Sequence, residues 1–228
     1  MRSPLFLFSI ALLAFLTISW WLNPVREAAL GGDATAHLAE LAGRDGELAA
    51  ALSSADRGDP TPLLQWINRT EPLQRQQIGL LILRSTAGTP PDDRALYRQR
   101  HRLLPFTAIS TGNARLDLEL DKAVAYALVA GTRTPTKEDL EIALTLAKRL
   151  ETPAQTAKEH GWLDTIGCVF FVSGDATKAV AAFRQAVTLA EAEKIPDAQV
   201  DLYRRRVAAS ERLGANPGEL LPLDWPTP

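Results

Sequence analysis

The chain has 228 residues, 46% of them hydrophobic and 23% charged, so it can bury a core and global disorder is excluded. Its formal net charge is −2 at neutral pH and its pI is about 6.0. That balance gives no support to nucleic-acid binding, which draws mostly on clustered Lys and Arg.

Residues 1–22 open the chain. Pro4 to Leu22 reads PLFLFSIALLAFLTISWWL, 19 residues without a charge. That is long enough to cross a hydrocarbon core as a helix, with Trp20 and Trp21 at its far end where indole rings favour the interface. A cleaved signal peptide is the rival reading. Its hydrophobic region would be unusually long, and Asn23-Pro24-Val25-Arg26-Glu27 supplies no small-x-small cleavage site. The segment is therefore read as a retained signal anchor. Arg2 and the amino terminus precede it, whereas Arg26 after it is offset by Glu27. The positive-inside rule then places the following domain outside the cytoplasm. The expected location is a bacterial inner membrane, single-pass, with a periplasmic C-terminal domain.

Residues 23–59 read as a short linker followed by an Ala/Leu-rich helix over 36–56, interrupted near Gly43 and Gly46. Gly58-Asp59-Pro60 marks a break. Residues 60–214 then read as helical hairpins. Thr61 to Arg69 is a short amphipathic element with Leu63, Leu64 and Ile67 on one face. Pro72 starts the next helix, whose stripe is Leu73, Ile78, Leu81 and Ile82, and Gly88 ends it. A helix from near Asp92 is expected to stop at Pro105. A loop over Thr107 to Asn113 leads to a helix from Leu116 to Ala130, closed by Gly131. Thr136 with Asp139 forms a capping box for the next helix, striped by Leu140, Leu144, Ala147 and Leu150. Thr152 and Pro153 are expected as N-cap and first residue of the clearest hairpin, which turns at Gly174-Asp175 and ends at Pro196. A last helix holds Val200, Tyr203, Val207 and Leu213. Residues 215–228 contain four prolines and form no long regular element. They are expected to fold back, covering the last helix with Leu220, Leu221 and Trp225.

Gly88, Gly131 and Gly174 lie 43 residues apart and Gly214 follows 40 later. This rhythm of helix, glycine, helix, proline is that of stacked helical hairpins. The predicted fold is all-α, an N-terminal transmembrane helix followed by a hairpin array.

Residues 160–190 resemble a tetratricopeptide repeat. Leu163, Ile166, Gly167 and Phe170 fall on its first helix, Gly174 at its turn, and Ala179, Phe183 and Ala186 on its second. Small residues at 167, 179 and 186 let antiparallel helices approach while Phe170 and Phe183 fill the gap. Residues 116–150 and 72–104 keep the hairpin rhythm more loosely, and the 43-residue spacing exceeds the 34 usual in the family. In this family the first helices line a concave groove that binds peptides or partner helices. The resemblance therefore implies a partner-binding patch at Asp164, Cys168, Phe171 and Val172. The Lys/Asn cluster that clamps a terminal carboxylate in some members is not present. The alternative for Phe171 and Val172 is packing against the neighbouring hairpin.

No chemistry stands out beside this. His37, His101 and His160 have no metal-ligand spacing, and no phosphate loop, nucleophile elbow or Cys-His signature occurs. Cys168 lies among Ile166, Val169, Phe170 and Phe171 and is expected to be a buried, inert thiol. Arg94–Arg102 and Arg204–Arg206 are basic clusters, read as solvated faces paired with acids or as sites for anionic lipid or an acidic partner. The expected function is a membrane-anchored, non-catalytic scaffold that binds other proteins or peptides, held to the membrane by residues 4–22. No cofactor, metal, nucleic acid or small-molecule substrate is expected. The alternative is a stoichiometric structural subunit of an inner-membrane complex.

Overall fold

The computed structural model describes residues 33–86, 93–131 and 134–213. Among these residues the regular structure is entirely α-helical: α1 (Ala34–Arg44), α2 (Gly46–Asp56), α3 (Thr61–Arg69), α4 (Pro72–Thr86), α5 (Asp93–Ala108), α6 (Ala114–Val129), α7 (Lys137–Ala157), α8 (His160–Val172), α9 (Ala176–Glu193) and α10 (Asp197–Leu213). None of these helices is long and apolar enough to cross a membrane. The anchor expected over residues 4–22, Gly88 and the tail at 215–228 lie outside the described residues.

Local chemistry sets most helix ends. Asp33 caps α1 by accepting the Thr35 and Ala36 amides. The expected interruption near Gly43 and Gly46 falls at Asp45, which accepts the Leu48 amide at 3.0 Å and so starts α2. Its other carboxylate oxygen accepts Trp66 Nε1 at 3.1 Å, tying α2 to α3. The capping box is present: Thr136 accepts the Asp139 amide and Asp139 accepts the Thr136 amide. Gly131 and Gly174 carry φ of 95° and 87°, a left-handed backbone that glycine adopts without strain.

Two proline expectations are corrected. Pro105 does not end α5; it lies inside that helix, which runs on to Ala108. Pro153 does not start a helix either. α7 passes through it to Ala157, and α8 begins only at His160. Both prolines remove one helical hydrogen bond. In both places the apolar stripe continues beyond the proline: Phe106 is buried after the first and Ala154 after the second. Burial of those side chains offsets the lost bond. The α7–α8 boundary is made instead by Lys158, which adopts φ 55°.

The helices form a layered, repeat-like stack. From α4 onward each helix packs on the next, most extensively α8 on α9 and α6 on α7. The first helices of successive hairpins also touch: α4 packs on α6 and α6 on α8. At the N-terminal end α1 packs on α4, while α2 and α3 pack on each other and on α5. α6 and α8 are the inner helices. Every residue of α6 from Ala123 to Val129 is buried, as is every residue of α8 from Trp162 to Phe170. Helical stretches as apolar as Ala123–Val129 belong in an interior. Small residues at Ala143, Ala147, Ala179 and Ala186, each fully buried, permit the close approaches.

Candidate partner-binding face

The spacing of Asp164, Cys168, Phe171 and Val172 along α8 puts all four on one face. That face is not open along its length. Asp164 is 8% exposed and Cys168 is fully buried. Phe171 and Val172, at the C-terminal end of α8, are half-buried and rest against the core.

The inner stretch of this face is occupied by the chain itself. Arg206 of α10 forms a buried ion pair with Asp164 Oδ2. The same guanidinium hydrogen-bonds the Tyr126 phenol of α6. Asp164, Arg206, Tyr126 and Cys168 thus form one polar cluster between the inner faces of α6, α8 and α10. Asp164 Oδ1 is buried and receives no hydrogen bond among the described residues. A second tie lies nearby. Gln199 Nε2 donates to the Tyr203 hydroxyl at 2.9 Å, so the phenol proton is left to point at His160 Nδ1, 3.0 Å away.

Burial governs the electrostatics. It pushes the Cys168 thiol up to about 12, although Arg206 pulls the other way. It also raises the Tyr126 and Tyr203 phenols. At neutral pH the thiol beside the Asp164–Arg206 ion pair is therefore protonated. A protonated, enclosed thiol is neither a nucleophile nor a metal ligand. Among the described residues no three His, Cys, Asp or Glu side chains are grouped so as to hold a metal ion.

Much of the basic clusters serves as internal stapling. Arg102 makes two hydrogen bonds, of 2.6 and 2.7 Å, to the Asp56 carboxylate of α2. Arg100 reaches Asp139 of α7 at 3.1 Å. Arg204 pairs with Glu191 and Asp201. Arg94 and Arg98 stay exposed. The role of Arg206 escapes a local reading, since it sits in a run of three arginines. One signal does mark it. It lies three residues after Tyr203 on an apolar stripe, and a charge placed there needs a buried partner.

A separate cleft of about 420 Å³ opens between α3, α5 and α7. Its walls include Leu64, Leu104, Pro105, Ile142 and Leu146, and Arg149 and Glu141 are its charged members. No sequence motif marks it, because its residues come from three separated segments. Comparison with protein-family models, curated proteins and solved structures finds no match for this chain.

Proposed function

We propose that this chain is a membrane-tethered, non-catalytic interaction scaffold built on a divergent tetratricopeptide-like array. Residues 4–22 hold it in a bacterial inner membrane, with the hairpin stack on the periplasmic side. Partners are proteins or peptides that engage the α8 face at its open end, around Phe171 and Val172. Asp164 and Cys168 lie deeper on that face, beneath Arg206 of α10, and hold α8 in place rather than meet the partner.

The observation that carries this reading is the stacking pattern. First helices contact first helices in succession, α4 on α6 and α6 on α8, while each hairpin closes on its own second helix. Arrays of this kind present one extended face made from equivalent helices. The Gly167–Phe183 crossing gives the tetratricopeptide-like part its support. A β-carbon on Gly167 meets Phe183 ring atoms at 2.5–2.9 Å, so the small residue is what lets α8 and α9 close.

The test is photo-crosslinking in membranes with a photoreactive residue at position 171 or 172 of the full chain. A discrete partner crosslinked there, and not from the exposed Lys137 position, is the expected result. Purification in detergent then separates adaptor from subunit. A scaffold of this class retains its partner below a fixed ratio, whereas a structural subunit retains it at one.

A further inference from the structure

The cleft between α3, α5 and α7 is built largely from second helices of adjacent hairpins, whereas the α8 face belongs to a first helix. α5 and α7 each pack extensively on α6. Between themselves they are joined by the Arg100–Asp139 ion pair and by Arg149 Nη1, which donates to the Thr107 carbonyl at 3.0 Å. That leaves a furrow, closed at one side by the first turn of α3.

The chemistry of the furrow is uneven. Two of its three threonine hydroxyls are already used, Thr107 on the Leu104 carbonyl and Thr145 on the Glu141 carbonyl, and the third, Thr61, sits at the mouth where its amide donates to Asp59. The walls facing a ligand are therefore apolar, with Leu64, Leu104 and Ile142 half-buried and still accessible. Two charges remain. Arg149 is 51% exposed, and its Nε and Nη2 have no partner among the described residues. Its Nη1 also forms an ion pair with the Asp121 carboxylate at 3.6 Å, which leaves the opposite edge of the guanidinium open. Glu141 stands 66% exposed with only a 3.8 Å approach from Lys137. The two are eight residues apart on α7, about 12 Å along its axis at 1.5 Å per residue.

We propose that this cleft is a second docking site, which takes the apolar stripe of a partner protein's amphipathic helix. Two turns of such a helix, about 11 Å, match the separation of Glu141 and Arg149 along α7, and its apolar side chains at i, i+4 and i+7 seat on the accessible Leu64, Leu104 and Ile142. A carboxylate at one end of the stripe meets the open edge of the Arg149 guanidinium, where two parallel N–H groups suit a carboxylate. Glu141 rejects a second acid at the other end, so the site fixes the direction of the helix. This site is independent of the α8 face and stands or falls separately from it.

A defined probe tests it with the full chain in nanodiscs. The probe is a fluorescent, alanine-rich helical peptide with Leu at i, i+4 and i+7 and either Glu or Lys at i+8. The Glu peptide is expected to bind about fivefold tighter than the Lys peptide, since one exposed guanidinium attracts the first and repels the second. Arg149→Gln should erase that difference, and Ile142→Lys should abolish binding of both. Hydrogen exchange on the unmodified protein should show protection of residues 104–108 and 141–149 by the Glu peptide. Absence of binding, equal binding of the two peptides, or protection placed elsewhere would overturn the proposal. The exchange measurement decides even if a variant fails to fold.

Discussion

A β-carbon on Gly167 would overlap the Phe183 ring, and the ring is only 1% exposed, so it has nowhere to move. Gly167→Ala is therefore expected to destabilise by roughly 1–3 kcal/mol through overpacking. Phe183→Ala should lose about 3–5 kcal/mol by leaving a cavity. Thermal melts of both variants check this, and melting like the parent would show that α8 and α9 do not close on this pair. Asp121 offers a pH test. Burial raises its carboxyl to about 6 from the ordinary 3.8, against a smaller opposing pull from Arg149. A folded-state pKa above the unfolded value means the folded chain binds the proton more tightly. Stability from this group is thus gained as pH falls from about 6 to about 4, and above 6 the buried charge is a net cost. Asp121→Asn should raise stability at pH 7.5 by roughly 1–3 kcal/mol, at about 1.4 kcal/mol per unit of pKa. The gain should vanish near pH 4. Denaturant titrations at the two pH values measure it, and an equal effect at both would refute the assignment.

Among the elements, α10 is held to α8 by polar contacts while its apolar side packs on α9. Breaking a buried ion pair from one side leaves a stranded charge, so Arg206→Leu should cost about 3–5 kcal/mol. Asp164→Leu combined with Arg206→Leu should recover a large part of that loss. If the double variant is no better than the single one, the pair does more than neutralise charge, and fixing the register of α10 becomes its main role. The same elements show what a sequence can and cannot reveal. Caps and turns are legible because their partners are a few residues away: Thr136 with Asp139, Asp175 before α9, Gly131 and Gly174 at positive φ. The Gly167–Phe183 crossing is what the tetratricopeptide resemblance implies, and the two residues do meet. Pro105 and Pro153 mislead because a lost backbone bond is a local signal, whereas the burial that outweighs it is tertiary. The Arg102–Asp56 and Arg206–Asp164 pairs join residues 46 and 42 apart in the chain, and no local pattern carries that information. Helical spacing puts the groove residues together on one face of α8. Half of that set, Asp164 and Cys168, is enclosed because α10 sends Arg206 back across the inner face.

At the scale of the whole molecule, from α4 to α10 each described helix packs on the next, while at the N-terminal end α1 closes on α4 and α2 and α3 on α5. In the proposed scaffold the two exposed opportunities are the open end of the α8 face and the cleft between the second helices. Cys168 gives a simple check that the inner cluster stays closed. With its thiol raised by burial to about 12 and no exposure, it should resist alkylation in the folded protein and react only on unfolding. Rapid labelling under native conditions would show that α10 leaves the inner face. The most direct test of the scaffold reading is Phe171→Ala in the full membrane-bound chain, with melting temperature and crosslinked partner yield measured on the same sample. The expected result is a variant that stays folded and captures its partner about tenfold less well, a loss of roughly 1.4 kcal/mol. A folded variant with unchanged capture would contradict a partner-binding role for the α8 face.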